Sequence, residues 1–102
     1  MSIKFVSERK SSFLTTKEYS GYGQRLLVSY DGVETIVSLE PEDPIFGVKI
    51  TNIENDDPIL IFPYSVSLNN LQQIESNIRQ AKLFCSDFAK QKKDILKFKS
   101  TI

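Results

Sequence analysis

The sequence has no histidine and no tryptophan, one cysteine, one methionine and only four glycines among 102 residues. Without histidine, the commonest general base, the commonest zinc ligand and the Ser-His and Cys-His nucleophile pairs are all missing. A single Cys85 closes no internal disulfide, and its place on an apolar helical pattern marks it as a small core residue. No apolar run approaches the roughly 18 residues that span a bilayer, and the opening MSIKFVSERK lacks a signal peptide's apolar stretch. A cytoplasmic protein is the expectation. Gly21 and Gly23 in YSGYGQR read as a loop, without the G-x-G-x-x-G spacing or the following helix that would cradle a phosphate.

What is present fits one globular domain over residues 1–102, at 40% hydrophobic and 25% charged residues. QRLLVSYDGVETIVSLE alternates on both sides of Asp31-Gly32, a pair suited to a two-residue type I′ turn. That turn predicts Tyr30 opposite Val33, Val28 opposite Thr35 and Leu26 opposite Val37. Leu26, Val28, Tyr30, Val33, Val37 and Leu39 then share one buried face, with Ser29, Glu34 and Ser38 on the other. Ile3 to Val6 and Phe13 to Thr16 read as two short strands. Pro41 and Pro44 interrupt the pattern, IFGVKITNI resumes it, and ILIF, apolar throughout, reads as a strand covered on both faces.

From Ser67 onward the period changes to that of a helix. Leu71, Ile74, Ile78, Ala81, Phe84, Cys85, Phe88, Ala89, Ile95 and Leu96 fall on one arc, with Ser67 or Asn70 placed to cap the start. The predicted fold is α+β: an antiparallel sheet of about six strands over residues 1–66, a meander of hairpins, followed by one long amphipathic helix over 67–99. At coarse scale this order resembles the pleckstrin-homology layout. The helix is longer than that layout implies, and the turn between the first two strands is not a clear basic loop of the kind that would assign phosphoinositide binding, so no function follows from the likeness.

A helix from Leu68 to Phe98 would run about 46 Å, against about 24 Å across six strands. The expectation is a break near Ser86-Asp87, or an overhang offering Phe88, Lys92, Ile95, Leu96 and Phe98 to a second copy or another protein. Charge is also segregated. Residues 30–66 hold eight acids and one Lys, residues 79–102 seven bases and two acids. Arg79, Lys82, Lys90, Lys93 and Lys97 form a basic stripe on the helix, and Glu40, Glu42, Asp43, Glu54, Asp56 and Asp57 an acidic rim.

EPEDP and ENDDP lack the alternating acids and the glycine of a calcium loop, so no metal and no cofactor is expected. Carboxylates along a strand and its loops do imitate phosphates toward a basic groove. The function expected is a small non-enzymatic protein-binding module, such as a phage or mobile-element accessory protein that blocks a nucleic-acid-handling enzyme. Two alternatives remain: binding of nucleic acid or another acidic surface by the Lys stripe, and a structural subunit of a homo-oligomer.

Overall fold

The computed structural model describes residues 3–55, 57–62 and 67–98. β1 (Lys4–Lys10), β2 (Thr15–Gly21), β3 (Gln24–Tyr30) and β4 (Thr35–Pro41) form an antiparallel meander in chain order. Among the described residues, β5 (Lys49–Ile50) and β6 (Leu60–Ile61) pair only with each other. The main sheet therefore has four strands rather than six, and the likeness to the pleckstrin-homology layout goes with the missing two. ILIF is not a central strand, since Ile59, Ile61 and Phe62 are exposed and only Leu60 packs on the core.

The departure from the sheet has a local cause. The Asp43 carboxylate accepts hydrogen bonds from the Ile45 and Phe46 backbone N–H groups, and Pro44 supplies the fixed φ of a helical first position. The Gly47 N–H then donates to the Asp43 carbonyl at 2.7 Å. A Cβ on Gly47 would stand 2.2 Å from that oxygen, so the closure requires glycine. With its polar groups satisfied inside one turn, the chain leaves the ladder.

Two hairpins differ from expectation in an instructive way. YSGYGQR is not a loop: β2 and β3 run to its centre and are joined by Tyr22 and Gly23 alone, with φ of 51° and 72°. The two-residue turn of type I′ character is here. At Asp31-Gly32 the connection is four residues long, because the Asp31 carboxylate accepts from the N–H groups of Val33 and Glu34. Tyr30 pairs with Thr35, Val28 with Val37 and Leu26 with Leu39, a shift of two residues from the expected register. An even shift preserves the faces, so Leu26 and Val28 are buried as expected while Val33 stands at the loop tip, 92% exposed. β1 is longer than its four expected residues and carries a bulge between Phe5 and Ser7.

The helix α1 (Leu71–Ile95) follows a 3-10 turn, Leu68–Asn70, and runs unbroken through Ser86-Asp87. Neither Ser67 nor Asn70 makes a side-chain capping bond. Ile74, Ala81, Phe84, Cys85, Phe88 and Ile95 are buried, all on the expected arc. All of these but Ile74 close a core with Ile3, Tyr22, Leu26, Val28, Val48 and Ile50. Gln73 and Asn77 share a hollow with Tyr22 and Gln24 at the start of β3, and Phe98 stacks on Tyr30 at its end. The residues expected to overhang do not: Phe88 and Ile95 lie in the core of the same chain, and Leu96 and Phe98 pack against it.

Candidate functional site

The acidic rim divides into two places with different electrostatics. Glu40 sits on the outer face of β4 opposite Arg25, with a 3.5 Å ion pair between half-exposed groups that contributes little stability. Glu54 lies 3.7 Å from Lys92, in an open hollow of about 560 Å³ that Asp57, Lys82, Lys90 and Phe88 also line. Carboxylates and ammonium groups compensate one another there. Asp56 lies outside the described residues.

Glu42 and Asp43 are different. Both are exposed, and neither has an ion pair among the described residues. They border a smaller hollow of about 150 Å³ whose walls include Tyr22, Gln24, Gly47, Gln73 and Asn77. Several fixed bonds set its shape. The Glu42 N–H donates to the Gly23 carbonyl at 2.9 Å, and Asn77 Nδ2 donates to the Phe46 carbonyl at 2.7 Å, which ties the helix to the acidic turn. Tyr22 is buried, its hydroxyl donates to Asp87 at 2.5 Å, and that bond pushes the phenol pKa up. Gln24 is 2% exposed; its Nε2 donates to the Val48 carbonyl over a long 3.4 Å, and its Oε1 is buried without a hydrogen-bond partner among the described residues.

Sequence reasoning singled out Glu42 and Asp43 but missed Gln24, Gly47 and Asn77. The D-P-x-x-G spacing of Asp43, Pro44 and Gly47 was a readable signal for a capped single turn. Gln24 gave a weaker one: a polar residue in phase with Leu26 and Val28 belongs to the buried face.

Phe88 and Ile95 lie in the core of this chain, with Leu96 and Phe98 packed against it. Lys17 Nζ stands 4.2 Å above the Phe98 ring and donates to the Lys97 carbonyl at 2.8 Å, fixing the residues after the helix. Lys92 falls on the apolar arc but reaches its edge, where Glu54 meets it. Arg79, Lys82, Lys90, Lys93 and Lys97 are all exposed, without an ion pair among the described residues.

Cys85 is buried, and burial pushes its thiol pKa up, away from the reactive thiolate. Among the described residues no three Cys, Asp or Glu side chains converge as metal ligands, and no helix is long and apolar enough to cross a membrane. No protein-family model, curated protein or solved structure matches this chain.

Proposed function

We propose that this protein works by binding another protein rather than by catalysis, and that the turn after β4 receives a basic segment of that partner. The observation that carries the reading is the contrast within the rim. Glu40 and Glu54 have cations beside them, whereas Glu42 and Asp43 face solvent beside a small hollow with no ion pair among the described residues. Uncompensated carboxylates at a preformed edge attract a cationic partner and steer its approach. A blocker of a nucleic-acid-handling enzyme, as a phage or mobile element would encode, fits this charge pattern, since carboxylates there stand in for phosphates.

The test is binding of a fluorescent peptide of alternating arginine and serine to the full chain at several salt concentrations. Binding that weakens with salt and is lost in Glu42→Arg, but kept in Glu34→Arg, is the expected result. Equal binding by both variants defeats the reading. Asp43 is left intact in this design because its carboxylate holds the turn.

A second reading has its own observation in the exposed cations Arg79, Lys82, Lys90 and Lys93 on α1 and Lys97 just beyond it. It predicts retention on heparin that falls steeply with salt and disappears when Lys90, Lys93 and Lys97 are replaced by glutamine. Elution at the void volume disposes of it.

A further inference from the structure

The end of the sheet opposite the acidic turn carries a feature that exposed cations alone do not explain. Lys10 pairs with Thr15, Thr15 with Tyr30 and Tyr30 with Thr35, so the β1–β2 and β3–β4 tips stand side by side there. The residues after α1 arrive at the same place, because Phe98 stacks on Tyr30 at 4.9 Å and Lys17 Nζ donates to the Lys97 carbonyl. These three segments surround an open hollow of about 540 Å³, within the range of about 300–1,000 Å³ usual for ligand clefts.

Phe13 lines that hollow and is 85% exposed. Its exposure is built in rather than slack. The Ser11 N–H donates to the Leu14 carbonyl at 2.8 Å and the Leu14 N–H donates to Ser11 Oγ at 3.1 Å, closing the turn that holds the ring out. Phe98 is engaged by Tyr30 and by Lys17, whereas Phe13 has no ring contact among the described residues. The cations divide in the same way. Lys17 is held within the protein, while Lys10 and Lys97 are exposed in the wall with no ion pair among the described residues. Of the acids there, Asp31 has its carboxylate engaged by the Val33 and Glu34 N–H groups, and Glu8 is the register partner of Lys17.

An unengaged ring beside two unengaged ammonium groups complements a ligand with an open π-face and negative charge set next to it. A nucleotide unit has both. Within a duplex each base is covered by its neighbours, so the base that lies on an exposed ring comes from a single strand. A flat anionic bilayer would meet both tips at once and bring the acids of the β3–β4 tip against its headgroups, whereas a strand entering the hollow from the Phe13 side meets the lysines.

We propose that this hollow binds single-stranded nucleic acid, with one unstacked base on the Phe13 ring and the flanking phosphates on Lys10 and Lys97. Lys93, four residues before Lys97, continues the cationic edge along α1. The proposal goes beyond the acidic turn; it rests on the second reading above for its phosphate contacts and adds a site for the base.

The experiment is a titration of the isotope-labelled full chain, followed by NMR, with a short oligothymidylate, an abasic strand of the same length, and vesicles of phosphatidylcholine and phosphatidylserine in equal parts. The thymidine strand should move the Phe13 ring signals upfield and shift the Lys10, Gly32 and Lys97 amides, saturably and less at higher salt. The abasic strand should bind about tenfold more weakly, the scale of one base stacked on an aromatic ring. Phe13→Leu keeps apolar bulk on an exposed tip and removes the ring. It should weaken the thymidine strand about tenfold and leave the abasic strand unchanged. Lys10→Gln together with Lys97→Gln should weaken both strands and flatten the salt dependence.

Equal binding of the two strands, or of the thymidine strand to parent and Phe13→Leu, overturns the base site and leaves the cations of α1 as a phosphate surface, so the second reading survives without it. Binding of neither strand overturns both. Phe13 signals that respond to vesicles but not to the thymidine strand assign the tip to lipid and overturn the proposal as well.

Discussion

The Asp31 carboxylate accepts from two backbone N–H groups, at 2.8 Å from Val33 and 2.7 Å from Glu34, and these bonds hold its carboxyl below the usual carboxylate range. A pKa depressed by folding gives stability that is present above the unfolded value of about 3.9 and lost as pH falls through the folded one. Asp31→Asn keeps an acceptor in place and removes the titration. Denaturant unfolding followed from about pH 5 downward should therefore show a shallower acid loss in the variant than in the parent, and parallel curves would refute this role. The same carboxylate explains why the turn type was misread: Asp-Gly fits a two-residue turn, but the side chain offers the backbone a longer one. Tyr22 was opaque for the opposite reason, since tyrosine seldom adopts positive φ. Here ring burial and the bond to Asp87 offset that cost. Gly23, at φ 72°, has open space around it, so Gly23→Ala tests backbone strain alone and should cost about 1 kcal/mol in thermal unfolding.

On the scale of elements, the helix was the most legible part and its ends the least. Apolar spacing identified Phe84, Cys85 and Phe88 as core, because period alone determines which face a helix buries. Period does not say how that helix crosses a sheet. As it is seated, α1 keeps Phe88 and Ile95 in the core of its own chain, at 0% and 2% exposure. Fully burying a large apolar side chain and then deleting it costs about 2–5 kcal/mol, and two such losses rival the whole stability of a small domain. A chain ending at Asp87 should thus lose its cooperative unfolding transition and its native circular dichroism. A folded monomer from that shortened chain would show that the last turns of the helix serve something other than this core. β5 and β6 were overread for a related reason: alternation in IFGVKITNI marks strand propensity but not the capped turn at Asp43 that carries the segment off the main sheet.

Across the whole molecule, a formal charge of zero conceals two complementary regions. Glu42 and Asp43 lie by the first turns of α1, near Gln73 and Asn77, whereas Lys90, Lys93 and Lys97 occupy its last turns and the residues beyond. With no net charge to keep copies apart, the acidic end of one molecule and the basic end of another attract, head to tail. Such contacts reach over a Debye length of about 30 Å at 0.01 M salt and about 8 Å at 0.15 M. Light scattering should therefore show a mass that rises with concentration at low salt and returns to the monomer near physiological salt. Charge reversal at Glu42 should suppress that rise, as should neutralising Lys93 and Lys97. A dimer that persists at high salt would instead require an apolar contact. The helix does not supply one, since among its large apolar side chains only Leu71 and Leu83 stand exposed. Phe13 and Val33, 85% and 92% exposed at neighbouring loop tips, would then be the residues to replace by serine.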